Sequence, residues 1–168
     1  PQEMGILYDR CQGFARIVAF RREAGGLGPE GEDDPGAVWP FATSQTLTAM
    51  ANLLNNYKQD YVADSNYFDL METYVESQYY RGRPYIGEYL DEKTGYWLKG
   101  DEERSRYYNH STFNDLVITG LVGLRPGAGD VFEVNPLLPD NKWNWFCLDN
   151  ILYHGKILTI IWDKDGTK

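Results

Sequence analysis

The stretch "ATSQTLTAMANLLNNYKQDYVADSNYFDLMETYVESQYYRG", residues 42–82, decides the fold. In its first half, apolar residues recur at three- and four-residue spacing, which is the period of one face of an α-helix. This stripe consists of Leu47, Met50, Ala51 and Leu54. The pattern predicts a helix over 42–59 that is capped by Thr43 or Ser44, because a short hydroxyl side chain satisfies free backbone N–H groups at a helix start.

The second half of the stretch predicts another helix, over 64–81, with Asp64 or Ser65 as its cap and Gly82 as its end. The expected apolar stripe is Phe68, Met71, Val75 and Tyr79. Because the connection between the two helices is short, they are expected to pack as an antiparallel hairpin.

The remainder of the chain changes character along its length. Residues 4–22 have a mixed helical pattern, and an apolar segment at about 111–124 predicts a buried helix that Pro126 ends. From residue 131 onward, short segments rich in Val, Ile, Trp and Thr alternate with turn residues, which is typical of strands. The sequence therefore predicts a mainly α chain with a β tail, divided into 1–126 and 127–168.

Composition excludes several classes of function. The net charge is −9 and Lys and Arg do not cluster, so a nucleic-acid partner is not expected. No apolar run approaches the roughly 20 residues that span a bilayer, so no membrane role is expected. The chain begins "PQEM" without an initiator Met, which leaves its compartment open.

Motifs for cofactors and metals are also missing from the sequence. The chain has two His and two Cys, scattered without metal-ligand spacing, and no phosphate-binding Gly-rich loop, so neither a metal nor a cofactor is predicted. Cys11 and Cys147 are interpreted as buried apolar residues, with a long-range disulfide between them as the alternative.

Three blocks of sequence, in this order, resemble a known family. They are "VWPFATSQTLTAMANLLNNY" (38–57), "RPYIGEYLDEKTGYW" (83–97) and "YYNHSTFNDLVITGLVGLRP" (107–126), which continues into the β tail. Together they resemble the C-terminal part of bacterial (α/α)6-barrel glycoside hydrolases of the mannosylglycerate-hydrolase-like group. That group is related more distantly to processing α-glucosidase I, trehalase and bacterial α-L-rhamnosidases. The resemblance covers about residues 37–168.

The resemblance implies an architecture as well as an activity. It implies a partial (α/α)6 toroid, formed by the last helical hairpins, followed by the first strands of a C-terminal β-sandwich. A whole toroid needs about twice this many residues, so the rest of the catalytic domain is expected upstream. The implied partner is a carbohydrate substrate.

Glu88 is the candidate general base. Relatives with this toroid carry a base Glu shortly before the last inner helix, in a context that "GEYLDEKTGYW" (87–97) resembles. They typically invert the anomeric centre, which needs two carboxyl groups roughly 6.5–9.5 Å apart to admit a water molecule. Asp91 and Glu92 in the same segment are rival candidates. Without the family, Glu88 is more simply a surface residue beside a turn.

The general acid is harder to assign. In relatives it comes from an earlier helix–loop of the toroid. Within this chain, Glu30 and Glu32 lie in a long Gly-rich loop that precedes the first predicted helix, and they are the candidates for this role. A solvated acidic loop is the alternative interpretation.

Other residues are predicted to bind sugar, because aromatic ring faces match the apolar faces of pyranoses and amides bond hydroxyl groups. They are Trp39, Phe41, Gln45, Tyr96, Trp97, Tyr108, Asn109 and His110. Core packing for Phe41 and loop ordering for His110 are the alternatives.

Two other functions remain open at this stage. One is a non-catalytic carbohydrate-binding or scaffold role, in which Trp39, Tyr96 and Trp97 act as stacking surfaces. The other is a polysaccharide lyase, which the pair Tyr108 and His110 keeps open.

Overall fold

The computed structural model describes residues 37–91, 97–98, 103, 107 and 112–167. The predicted helix over 4–22 lies outside these residues. The same holds for several predicted site residues, namely Glu30, Glu32, Glu92, Tyr96, Tyr108, Asn109 and His110.

Helix α1 spans Pro40–Asn56, close to the predicted 42–59. Trp39 is the N-cap in an extended conformation, and Pro40 occupies the first helical position, where its missing N–H costs nothing. The predicted caps were wrong: Thr43 and Ser44 lie inside the first turn, and both are only 1% exposed. Their hydroxyl groups donate to the carbonyls of preceding residues, which satisfies them in this buried position.

Helix α2 spans Asp64–Ser77 and is shorter than predicted. Its N-terminus is closed by Asn66, whose Oδ1 accepts a hydrogen bond from the Ala63 N–H at 2.7 Å, so the predicted Asp64 and Ser65 caps were wrong. Beyond the helix, β2 (Tyr79–Tyr80) and β3 (Arg83–Pro84) form a small antiparallel pair. The predicted end of the helix at Gly82 is thus the turn of this pair, where Gly82 has φ of 74°.

The buried stripe of α2 also differs from the prediction. Its buried residues are Tyr67, Phe68, Leu70, Met71 and Tyr74. Val75 and Tyr79, which were expected in the stripe, are 43% and 52% exposed.

The third predicted helix begins as α3, Thr112–Asp115, and continues as a π-helical segment, Leu116–Leu121. The wider winding is visible where the Val122 N–H donates to the Val117 carbonyl, five residues back, at 2.9 Å. Leu116 and Leu121 are buried, as the apolar pattern predicted. Asp115, in contrast, is exposed.

The other strands of the described residues pair antiparallel in twos. They are β1 (Ala37–Val38) with β4 (Leu90–Asp91), β5 (Leu124–Arg125) with β6 (Glu133–Val134), and β7 (Trp145–Tyr153) with β8 (Lys156–Asp163). In the β7–β8 hairpin, His154 and Gly155 form the turn with φ of 47° and 77°, as tight two-residue turns between strands require. His154 is therefore a turn residue.

The main core joins the helices to this hairpin, because Phe146 of β7 and Ile160 of β8 are buried in the same cluster as the stripes of α1 and α2. The chain is thus a partial helical domain followed by a β-rich part, as predicted. Cys147, in contrast, is exposed, so the prediction that it is buried was wrong. Within the described residues, no helix combines the length and apolarity that crossing a membrane requires.

Candidate active site

Glu88 is placed by the short β1–β4 pair. Val38 pairs with Leu90 in antiparallel register, so Trp39 leaves β1 at the end of the pair where Glu88 and Tyr89 approach β4. The rings of Trp39 and Tyr89 lie 5.3 Å apart, as this register requires. Since Trp39 caps α1, Glu88 lies at the N-terminal end of that helix.

A small second core holds this segment, and we call it the rim cluster: Val38, Leu90 and Trp97, with Tyr80 and Tyr85 packed against them. Two contacts hold the Trp97 side chain in place. Its Nε1–H donates to the Tyr79 carbonyl at 2.8 Å, and its ring packs edge-on against Tyr85. The Leu98 N–H donates to the Tyr89 carbonyl at 3.1 Å, which fixes the backbone next to Glu88.

Gly87 lets the backbone before Glu88 pass close to this cluster. A Cβ at this position would lie 2.4 Å from Cε1 of Tyr85 and 2.6 Å from Cζ3 of Trp97, distances that real Cβ atoms do not show. The chain therefore needs glycine here to bring Glu88 to its observed position.

The Glu88 carboxylate is half-buried, between the buried Gly87 and the buried Tyr89. A carboxylate in this setting is partly shielded from bulk water yet reachable by a ligand, as a group that exchanges protons with substrate must be. The nearby Arg81 guanidinium lies 4.9 Å above the Tyr80 ring. Arg81 thereby makes a cation–π contact with Tyr80, a residue of the rim cluster.

Three of the predicted sugar-binding residues share this end of the molecule. Trp39 is half-buried, Phe41 is 47% exposed, and Gln45 is exposed one turn further along α1. The exposure of Phe41 argues against the core-packing alternative. Trp97 is different: it is 5% exposed, and its buried indole leaves no ring face open to a sugar.

Tyr67 and Tyr74 are titratable residues that sequence reasoning did not place in the core. Burial raises the pKa of Tyr74 to about 12 and raises the pKa of Tyr67 further above its usual value. Both remain protonated near neutral pH, so neither acts as a base. Their spacing with Leu70, at positions i, i+3 and i+7, was the signal that would have identified them.

Within the residues that the structure describes, no three His, Cys, Asp or Glu side chains converge to hold a metal ion. The chemistry available at this end of α1 is that of a carboxylate with aromatic and amide neighbours. That set of groups suits binding of a polyhydroxylated ligand and proton transfer to or from water.

Comparisons with known proteins define the class. Residues 35–111, which include Glu88, match the model of the mannosylglycerate hydrolase MGH1-like glycoside hydrolase domain. Residues 124–168 match the C-terminal domain of glycosyl hydrolase family 65. Both descriptions are of glycoside hydrolase domains, so the chain is similar to glycoside hydrolases over both matched segments.

The match to the MGH1-like domain covers α1, α2 and β1–β4, and the match to the family 65 C-terminal domain covers β5–β8, while the α3–π segment lies outside both. A solved structure named "Sialidase" is also similar, with 68% sequence identity and a TM-score of 0.76 over 88% of this chain. This chain spans only 14% of the length of that protein.

Proposed function

We propose that the protein hydrolyses O-glycosidic bonds by an inverting two-carboxylate mechanism in which Glu88 is the general base. One observation carries the proposal: within the segment that matches a glycoside hydrolase domain, the half-buried Glu88 lies next to the rim cluster, at the end of α1 where Phe41 and Gln45 are exposed. The supporting architecture is proposed to be part of an (α/α)6 toroid, with Glu88 at its mouth and a β-sandwich beginning near residue 127.

In this mechanism, Glu88 accepts a proton from a water molecule while the water oxygen attacks the anomeric carbon. A second carboxyl group donates its proton to the departing glycosidic oxygen, so that both products leave neutral. Glu30 and Glu32 are the candidates on this chain, and an earlier helix–loop of the same catalytic domain is the alternative source. Inversion requires the two carboxyl groups to stand roughly 6.5–9.5 Å apart.

Phe41 and Trp39 are proposed to stack on a pyranose ring, and Gln45 to bond its hydroxyl groups. The exposed ring of Phe41 and the position of all three at the Glu88 end of α1 support these roles. Tyr96, Tyr108, Asn109 and His110 are proposed to complete the same pocket, as the resemblance to the family implies.

The names of the similar proteins indicate two candidate classes of substrate. One points to a mannoside and the other to a sialoside. We favour a neutral glycoside, because a chain of net charge −9 repels an anionic sugar.

The test is hydrolysis of para-nitrophenyl α-mannoside, α-glucoside and α-sialoside by the full-length protein, with the anomer of the first-formed sugar read by proton NMR. Turnover of a neutral glycoside with inversion supports the proposal, and retention of configuration contradicts the role of Glu88 as a base. Tight sugar binding through Phe41 without turnover on any of the three would instead support a carbohydrate-binding role.

A further inference from the structure

A second polar recess lies away from Glu88, between the C-terminal half of α1 and the α3–π segment. We call it the groove; its volume is about 360 Å³. Its principal polar lining residues are Asn52, Asn55, Asn56, Asp115, Thr119 and Arg125. It begins at Thr48, eight residues past Pro40, which is about 12 Å along a helix that rises 1.5 Å per residue. On α1, the groove therefore begins at least two turns beyond the helix end that lies beside the rim cluster.

One wall of the groove is held by a network of hydrogen bonds. Arg125 donates through Nη1 to the Asn55 carbonyl at 3.2 Å and through Nη2 to Oδ1 of Asn56 at 2.7 Å. Asn135 donates through Nδ2 to Oδ1 of Asn55 at 2.8 Å. These bonds hold the arginine and two amides in place before any ligand arrives, which lowers the entropic cost of binding.

The opposite wall is formed by the π-helical segment. Tyr67 donates its hydroxyl proton to the Leu116 carbonyl at 2.9 Å in a fully buried contact. This hydrogen bond stabilises the first residue of the π-helical segment from the core side. Single turns of π-helix occur frequently at functional sites, because the extra residue redirects side chains toward a ligand. Thr119 lies in this segment and faces the groove.

Polar groups remain for a ligand to bond. The Thr112 hydroxyl lines the groove, is shielded from solvent, and finds no hydrogen-bond partner in the part of the chain that the structure describes. A buried hydroxyl group without a protein partner gains from a hydrogen bond to a bound ligand, because burial without a partner is unfavourable. The Thr119 hydroxyl donates to the Asp115 carbonyl, which leaves its oxygen able to accept.

We propose that the groove binds a neutral sugar unit, at a site distinct from the one that contains Glu88. Its amides and hydroxyl groups both donate and accept hydrogen bonds, as sugar hydroxyls do. The charges of Asp115 and Arg125 on its walls are opposite, so the groove has no excess charge to favour an ion. Its volume lies at the lower end of the range for small-molecule pockets, which suits one monosaccharide.

The test is NMR titration of the full-length protein with D-glucose, D-mannose and N-acetylneuraminate, observing the Asn52 side-chain amide. These probes are free monosaccharides without a glycosidic bond, so turnover does not interfere. Two groove variants, Asn52→Ala and Thr119→Val, are each expected to weaken binding of the neutral sugar roughly fivefold, the effect of one lost hydrogen bond.

Matched controls exist on the same chain. Thr73→Val removes a helical threonine hydroxyl that donates to the carbonyl four residues back, as in Thr119, but from α2 and outside the groove. Asn114→Ala removes an exposed amide next to the groove that does not line it. Neither control is expected to change the dissociation constant.

Saturable shifts at Asn52 with a neutral hexose, weakened by both groove variants and by neither control, would support the proposal. Absence of shifts with every probe would overturn it. So would preferential binding of N-acetylneuraminate, or hexose binding that Trp39→Ala abolishes and the groove variants leave unchanged. None of these outcomes depends on whether Glu88 is catalytic, so the two proposals fail separately.

Discussion

The rim cluster and the main core are two regions of one molecule that are built differently. The main core unites seventeen buried residues from the helices and the hairpin, whereas the rim cluster has three buried residues among those described. The first holds the fold, and the second positions Glu88. Because the two clusters share no buried residue, the candidate site can be damaged without unfolding the protein.

The largest expected effect comes from the rim. Glu88→Gln keeps the size of the side chain but removes its ability to accept a proton, so kcat is expected to fall about a thousandfold. The melting temperature should stay unchanged, because the carboxylate is half-buried and outside both clusters. Steady-state kinetics on the best glycoside and calorimetry measure the two quantities.

The matched control is Glu76→Gln, an exposed glutamate on α2 that should retain full activity. A loss of less than tenfold in Glu88→Gln would remove this residue from the mechanism.

A pair of glycines tests the separation of the two regions. A Cβ at Gly120 would lie 2.0 Å from the Tyr67 hydroxyl oxygen in the main core, whereas a Cβ at Gly87 would strike Tyr85 and Trp97 in the rim cluster. Gly120→Ala is therefore expected to destabilise the protein by about 1–3 kcal/mol through overpacking. Gly87→Ala should instead reduce kcat/KM while leaving the main unfolding transition nearly in place.

Gly129→Ala is the control for this pair, since its added Cβ would meet nothing within 4 Å. Chemical denaturation and kinetics on the three variants separate the regions. Equal losses of stability in Gly87→Ala and Gly120→Ala would show that the rim and the core unfold as one unit.

A smaller effect is expected from one hydroxyl group in the main core. Tyr67→Phe removes the donor to the Leu116 carbonyl, and that carbonyl stays buried without its partner, so stability should fall by about 1 kcal/mol. Tyr57→Phe is the control, because Tyr57 is 68% exposed. Urea denaturation measures both, and an equal response of the two variants would contradict the role of Tyr67 in supporting the π-helical segment.

The smallest effect concerns pH and the β7–β8 hairpin. The Thr159 hydroxyl, followed by the backbone N–H of Asn150, donates to Asp149 and lowers the pKa of its carboxyl group. A carboxyl whose pKa is lower in the folded than in the unfolded state stabilises the fold above its unfolded pKa. That contribution is lost as pH falls through the folded pKa.

The melting temperature of Asp149→Asn should therefore lie slightly below that of the unmodified protein at pH 7, and the two should converge in acid. Asp60→Asn, which makes the same change of charge at an exposed position outside the hairpin, should track the unmodified protein throughout. A gap for Asp149→Asn that persists unchanged to pH 2 would contradict the assigned cause.

The sequence predicted much of this fold and less of its detail. Periodicity located α1 and α2, because each buries one continuous apolar face. It misplaced their ends, since Trp39 and Asn66 close the helices through backbone geometry and a side-chain bond that apolar spacing does not encode. The helical spacing of Tyr67 and Tyr74 with Leu70 contains the signal for their burial, but their partners Leu116 and Phe113 lie far along the chain and no local pattern contains them.

In the candidate site, too, the sequence predicted individual residues but not the contacts that place them. Glu88 was found through resemblance to a family, whereas the rim cluster that positions it depends on pairings across more than fifty residues. Trp97 was predicted as a sugar-binding surface because of its aromatic ring. In the structure, its indole N–H bonds a backbone carbonyl and its ring is buried in the rim cluster with Tyr80 and Tyr85. The groove was missed because Asn55 and Asn56 meet Arg125 only in three dimensions.

The most direct test of the central claim is azide rescue of Glu88→Ala in the full-length protein. Removing the side chain leaves space on the face of the sugar from which water attacks, and azide can enter there without a general base. If Glu88 is the base, Glu88→Ala is expected to be nearly inactive, and azide should restore turnover and give a glycosyl azide of inverted configuration. Activity within tenfold of the unmodified protein without azide, or a glycosyl azide of retained configuration, would contradict the account.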